Sequence, residues 1–239
     1  MPTPYFRFKQ FTVWHDLCAM KVGTDGVILG SLAPVSSAMH RILDIGSGSG
    51  LVALMLAQRC PGATITAIDI DESAFRQTEL NFQQSLWSNR LNAVHAPFQE
   101  FSQQTEQHFD LIVSNPPFFS NSLKNPTPSR TVARHNDTLP LRDIFDHAGC
   151  ILRETGSIVL ILPVADNQKC VKWAESYGFH CNASVVIIPK PGAEPKRILL
   201  SFSRATSPST SSELILETEN RGIYSPEFTA LVRDFYLKL

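Results

Sequence analysis

Short apolar runs alternate with amphipathic stretches along the middle of this chain. Five runs are bounded by turn-forming residues and predict strands over residues 41–45, 63–69, 91–95, 109–114 and 157–162. Other stretches have the spacing of helices that bury one face, at residues 51–60, 71–86, 141–153 and 166–177. Strands that alternate with helices predict a parallel sheet with helices on both faces.

The last part of this pattern changes direction. Runs 183–188 and 197–202 are separated only by a turn rich in Pro and Gly, so they should pair antiparallel. The whole pattern predicts an α/β fold with a doubly wound, seven-stranded, mostly parallel sheet whose last strand is antiparallel. Residues 203–212, which follow, are rich in Ser and Thr and predict a flexible segment.

Aromatic residues mark both flanks of the regular pattern. Phe6 and Phe8 nearly alternate with basic residues and predict a short strand or hairpin, within an N-terminal extension of about residues 1–35. Near the other end, Ser225 can cap a helix that places Phe228 and Val232 on one face, so we expect a docking helix over about 225–237. We expect one domain over residues 1–239.

Composition limits the class of function. Charged residues make up 18% of the 239 residues and the formal net charge is -1, which argues against a strongly basic nucleic-acid binder and leaves a polyanion site to a local patch. The five cysteines lack C-x-x-C spacing and the histidines lack metal-ligand spacing, so we expect free thiols, a reducing cytoplasm and no metal. No apolar run is long enough to cross a membrane. These features are compatible with a monomer.

A glycine-rich turn, L-D-I-G-S-G-S-G over residues 43–50, ends the first regular strand. Gly46, Gly48 and Gly50 let the backbone turn tightly and let a ligand approach, while Asp44 can brace the turn by accepting backbone N–H bonds. A dinucleotide turn G-x-G-x-x-G would need glycine at position 51, which is Leu51, so a nucleotide-dependent oxidoreductase is disfavoured. The turn resembles the D-x-G-x-G-x-G turn of class I methyltransferases, which bind S-adenosylmethionine.

The next two strand ends extend this resemblance. Asp69 ends the second strand, where a carboxylate can accept hydrogen bonds from both ribose hydroxyls, and Asp71 is better placed as a helix cap. Class I enzymes often carry an acid after the third strand, facing the cofactor adenine. This chain has A-P-F-Q over residues 96–99 instead, so we expect Phe98 to cover the adenine and the hydrogen bond to come from backbone or from Gln99.

The fourth strand ends in S-N-P-P-F-F over residues 114–119, and two adjacent prolines stop a strand. The exocyclic amino group of adenine is a poor nucleophile because its lone pair is delocalised into the ring. The side-chain oxygen of Asn115 and the carbonyl oxygen of Pro116 could accept its two N–H bonds, and Phe118 could stack on the base. The motif therefore indicates methylation of a planar amino group.

Beyond these motifs, the chain resembles the bacterial valine-tRNA adenine N6-methyltransferases, which modify the adenosine just 3′ of the anticodon. The resemblance includes C-A-M-K-V-G-T-D-G over residues 18–26, the N-P-P-F tip, P-K-R over 195–197 and the last residues, 224–238. It implies S-adenosylmethionine as cofactor and the anticodon loop of a tRNA as partner. It also implies cofactor contacts from Lys21, Thr24 and Asp25. Candidates for substrate contact follow the tip, at Phe119, Lys124, Arg130, Arg134 and His135.

Other functions share parts of this pattern. Asn-Pro-Pro-aromatic tips also serve protein glutamine N5-methyltransferases and enzymes that methylate amino groups of DNA or ribosomal RNA. A cofactor-binding RNA adaptor without turnover is an alternative of another class, and the intact Asn115 argues against it.

Overall fold

The structure is a computed structural model that describes residues 3–116 and 139–238. Its strands are β1 Tyr5–Arg7, β2 Thr12–Trp14, β3 Arg41–Ile45, β4 Thr64–Asp69, β5 Leu91–His95, β6 Phe109–Ser114, β7 Leu152–Pro163, β8 His180–Ile188, β9 Arg197–Ser203 and β10 Thr210–Ile215. Its helices are α1 Thr24–Leu32, α2 Leu51–Arg59, α3 Glu72–Gln83, α4 Phe98–Gln104, α5 Leu141–Ile151, α6 Asn167–Ser176 and α7 Pro226–Val232. Single 3-10 turns occur at Ser88–Arg90 and Val164–Asp166.

Eight of the described strands form one sheet in the order β10-β8-β9-β7-β6-β3-β4-β5. β7, β6, β3, β4 and β5 are parallel, whereas β9 is antiparallel to both β7 and β8. The predicted α/β fold, its mostly parallel sheet and the antiparallel pairing of β8 with β9 are confirmed. The sheet has one strand more than expected, because residues 210–215 of the segment after β9 pair in parallel with β8.

The central strands are buried on both faces, which explains their continuous apolar sequences. In β6, Leu111 and Val113 pack in one cluster and Ile112 in the other, as the two-residue period of a strand requires. The first cluster lies under α1, α2 and α7, and the second under α4, α5 and α6. Helices thus cover both faces and leave the strand ends free to carry polar residues.

The two flanks of the chain pack together on the side of α1 and α2. β1 and β2 form the expected hairpin, and Ser225 Oγ accepts the Phe228 N–H to cap α7. Phe8 of the hairpin is buried against Tyr236, and the Lys9 N–H donates to the Phe235 carbonyl at 2.8 Å. The helix ends at Val232, earlier than its predicted end, but the aromatic residues after it still reach the core.

Within the described residues, no helix has both the length and the apolar character that a membrane span requires.

Candidate active site

Four neighbouring parallel strands, β6, β3, β4 and β5, end at the same edge of the sheet. Asn115, Gly46, Asp69 and Ala96 stand at or directly after these ends, and all four line a cavity of about 500 Å³. Crevices at the carboxyl ends of strands are the usual ligand sites of doubly wound sheets. The fold therefore brings together residues that are far apart in sequence.

The three glycines of the turn after β3 differ in what surrounds them. All three have positive φ, of 74° at Gly46, 57° at Gly48 and 76° at Gly50. A Cβ built on Gly46 or Gly48 would meet nothing within 4 Å, and both residues line the cavity. A Cβ on Gly50 would lie 2.9 Å from the Phe82 ring of α3. The first two glycines leave room for a ligand, whereas the third lets α2 and α3 pack closely.

Asp69 connects the turn to the tip of β4. Its carboxylate accepts the Gly48 N–H at 2.8 Å and the Asp71 N–H at 2.9 Å. Burial raises the pKa of the Asp69 carboxyl, although both of these hydrogen bonds lower it. Asp71 in turn accepts the Ala74 N–H at 2.9 Å and caps α3, as its position predicted. Asp69 thus presents a partly buried carboxylate to the cavity.

Asp44 lies behind the turn, outside the cavity lining. Its side chain is 1% exposed and accepts the Ala53 N–H of α2 at 3.2 Å. Burial raises the pKa of this carboxyl to about 7, and the charge of Asp69 acts in the same direction. Asp44 is therefore placed to brace the turn against α2.

Asn115 follows β6 and is held by its neighbour in the chain. The Ser114 hydroxyl donates to the Ile45 carbonyl at 2.7 Å, which ties the tip of β6 to the tip of β3. The Asn115 Oδ1 atom is buried and has no hydrogen-bond partner among the described residues. A buried acceptor without a donor is costly, so the site favours a ligand that supplies an N–H. Pro116, also buried, lines the same cavity.

The end of β5 supplies the opposite wall. Phe98 is 4% exposed, lines the cavity as the first residue of α4 and packs edge-on against His147 of α5. Gln99 and Glu100 also line the wall, and the Gln99 amide donates to Asp143 Oδ2 at 3.0 Å. The sequence pattern missed α4, whose short apolar face follows Pro97 without a side-chain cap.

The segment before α1 reaches the cavity through residues other than those expected. Cys18, Ala19 and Met20 line it, whereas Lys21 is exposed outside the lining. Asp25 pairs with Arg197 Nε at 2.8 Å, and Thr24 begins α1. Small and apolar residues such as Ala19 and Met20 carry little chemical signal in a sequence, which is why this wall was not found.

The expected substrate contacts Phe118, Phe119, Lys124, Arg130, Arg134 and His135 lie outside the described residues. Within residues 3–116 and 139–238, no group of three or more His, Cys, Asp or Glu side chains is arranged to hold a metal ion.

Comparison with known proteins identifies methyltransferases, the class that the glycine-rich turn resembles. A family model described as "Methyltransferase small domain" matches residues 23–169. Proteins of Bacteroides fragilis and Bacteroides thetaiotaomicron, both named tRNA1(Val) (adenine(37)-N6)-methyltransferase, are 44% and 46% identical, with 100% of each chain covered. A protein of Flavobacterium psychrophilum with that name is 42% identical and covers 98% of this chain and 100% of its own.

Solved structures agree at the level of the fold. A "predicted O-methyltransferase" from Agrobacterium tumefaciens superposes with a TM-score of 0.72 at 18% identity, over 88% of this chain and 96% of the other. At that identity the likeness concerns the fold alone. The full-length relatives and the family model go further: this chain belongs to the methyltransferase small domain family, in the group of enzymes named tRNA1(Val) (adenine(37)-N6)-methyltransferases.

Proposed function

We propose that this chain transfers a methyl group from S-adenosylmethionine to the exocyclic N6 of an adenosine in tRNA, next to the anticodon of a valine tRNA. The observation that carries the proposal is the buried Oδ1 of Asn115, which has no hydrogen-bond partner among the described residues; Asn115 lines the same cavity as Gly48 and Asp69. The Asn115 oxygen can accept a hydrogen bond from an amino group, and it lies beside a cavity suited to a nucleoside. The relatives' names supply the tRNA and the nucleotide.

The cavity fits the proposed cofactor. Its volume of about 500 Å³ is within the range of small-molecule sites. Gly46 and Gly48 leave open space where a Cβ would otherwise project, and the Asp69 carboxylate can accept ribose hydroxyls while it holds the turn. When bound, S-adenosylmethionine would supply a methyl carbon activated by its sulfonium.

Asn115 and Pro116 prepare the amino group of the substrate. Each offers one oxygen to one N–H, which draws the nitrogen lone pair out of the ring and aims it away from both acceptors. The Ser114–Ile45 hydrogen bond holds the tip of β6 beside the turn, so little rearrangement is needed. The nitrogen becomes acidic as it gains the methyl group, so a strong general base is not required.

The rest of the tRNA is proposed to contact residues that follow the Asn-Pro-Pro tip in the sequence. A loop adenosine can leave its stack at lower cost than a paired one, and Phe118 and Phe119 are the proposed stacking partners. We propose that Lys124, Arg130 and Arg134, which follow the tip in the sequence, contact phosphates of the tRNA. His135, the next residue after Arg134, is proposed to contact the substrate as well. Lys21, Thr24 and Asp25 are proposed to lie near the cofactor, and residues 1–239 to act as one domain.

The test is methylation of total tRNA from a strain that lacks this protein, with labelled S-adenosylmethionine and mapping of the product nucleoside. We expect N6-methyladenosine in one valine tRNA, and labelling that is slower by about a hundredfold or more with the Asn115→Ala variant. Label in ribosomal RNA, DNA or a protein glutamine, with none in tRNA, would retain the chemistry and reject the substrate.

A further inference from the structure

The order of the strand ends fixes which end of the cavity faces a base. The orientation of the cofactor in this cavity rests on the proposed function. Asn115 stands at β6, Gly46 at β3, Asp69 at β4 and Ala96 at β5, in one continuous row. The reacting methyl group must face Asn115, and the ribose is assigned to Asp69. The purine of the cofactor therefore extends to the β5 end, where Gln99 and Glu100 supply the polar side chains.

At the β5 end of the cavity, the side-chain amide of Gln99 is held in place by a hydrogen bond. Its Nε2 donates to Asp143 Oδ2 of α5 at 3.0 Å, and its Oε1 accepts no hydrogen bond from the described residues. The other carboxylate oxygen, Asp143 Oδ1, accepts from Arg142 Nε at 3.3 Å. Asp143 is half-buried, so its contact with Gln99 is shielded from water better than a surface pair.

The chemistry of this contact determines the orientation of the amide. An ionised carboxylate only accepts hydrogen bonds, so Gln99 must turn its NH₂ group toward Asp143. Its carbonyl oxygen then faces the other way, and Gln99 presents an acceptor. The 6-amino group of adenine donates and matches this acceptor, whereas the 6-oxo group of hypoxanthine would meet it as a second acceptor.

We infer that Asp143 is a positioning residue that orients Gln99 and thereby makes the cofactor site selective for a 6-aminopurine. An acid supplied from α5 acts through an amide, at the strand end where residues 96–99 carry no acid of their own. The selectivity then depends on how α4 packs against α5, because the orientation of Gln99 in α4 is set by Asp143 in α5.

The same two helices provide a matched control. One turn further along, the Ser102 hydroxyl and His147 Nδ1 are 2.8 Å apart, and Ser102 is 5% exposed. This contact also joins α4 to α5, but neither residue lines the cavity. Ser102→Ala removes this contact together with the hydrogen bond from the Ser102 hydroxyl to the Gln99 backbone carbonyl at 2.9 Å, but it leaves the side-chain amide of Gln99 bonded to Asp143.

The experiment is calorimetric titration of the full chain with S-adenosylhomocysteine and S-inosylhomocysteine. We expect the wild type and Ser102→Ala to prefer the adenosyl compound by about tenfold or more, the effect of one well-placed hydrogen bond. Asp143→Asn, whose amide can accept or donate, frees Gln99 to turn and should lower the preference below about threefold. Gln99→Met should lower it in the same way.

Each remaining outcome decides against the inference. An unchanged preference in Asp143→Asn would overturn it, as would loss of preference in Glu100→Gln with full preference in Asp143→Asn. Equal weakening of both ligands in Asp143→Asn would mean that the residue only supports the wall. If the wild type binds neither ligand, the proposed function fails first, and the inference fails with it.

Discussion

The backbone N–H of Gly48 donates to the Asp69 carboxylate at 2.8 Å, across the gap between the ends of β3 and β4. One carboxylate thus holds the glycine turn and faces the proposed ribose position. On that proposal, binding of a nucleoside and the shape of the turn would be coupled through this single side chain.

Asp69→Ala should weaken binding of S-adenosylhomocysteine by about tenfold to a hundredfold, since hydrogen bonds to a charged group are lost. Titration calorimetry measures the affinity, with Glu72→Gln, an exposed acid at the start of α3, as control. Unchanged affinity in Asp69→Ala would remove this residue from the ribose site.

Asn115→Ala should reduce the methylation rate by about a hundredfold or more, because an acceptor that acts on the amino group is removed. Asn115→Asp keeps an oxygen acceptor and should retain part of the rate. Affinity for S-adenosylhomocysteine should stay near the wild-type value in both variants. Parallel loss of rate and affinity in Asn115→Ala would contradict the assigned role.

Gly50→Ala should destabilise the fold more than Gly48→Ala. Both variants force alanine into positive φ, at about 1–2 kcal/mol, but only at Gly50 does the new Cβ approach Phe82 and Thr78, at 2.9 and 3.2 Å, respectively. That overpacking adds about 1–3 kcal/mol. Urea unfolding gives the order of stability. Gly48→Ala should instead lose cofactor affinity, since its Cβ enters the cavity; equal stabilities of the two variants would refute the distinction.

Asp44 should make stability depend on pH. Its pKa of about 7 in the fold lies above the ordinary value of 3.8, so folding favours the protonated form. The resulting stabilisation is complete below pH 3.8 and is lost as the pH rises through about 7. The free energy of unfolding should decrease between pH 5 and pH 8 in the wild type. This decrease should exceed that of Asp44→Asn by at least about 1 kcal/mol.

Urea unfolding at the two pH values checks this result, and Asp234→Asn, at an exposed acid, should behave like the wild type. The same fall in Asp44→Asn as in wild type would show that another group causes it.

The sequence pattern located the strand ends because buried parallel strands have continuous apolar runs and end abruptly at polar or glycine residues. The sequence therefore predicted which residues stand at or next to the ends of β3, β4 and β6: Asp44, Gly46, Asp69 and Asn115. Their roles remain predictions. β10 was missed because an edge strand such as residues 210–215, with only Leu214 buried, carries no apolar run.

Contacts between distant elements had no local signal at all. The Gln99–Asp143 hydrogen bond joins residues 44 positions apart, and each of the two is an ordinary surface residue by type. The cavity wall from Cys18 to Met20 likewise depends on where the chain passes after the hairpin, which only tertiary packing decides.

The hydrogen bond between Lys9 and Phe235 joins two segments that leave the ribosome at different times. The hairpin is synthesised well before the residues that cover Phe8, because Lys9 and Arg233, which are hydrogen-bonded, are 224 positions apart. Until Tyr236 is made, Phe8 lacks one of its aromatic partners and offers an apolar surface to chaperones. The segment around Phe235 thus closes the nascent protein over a hairpin that was synthesised long before it.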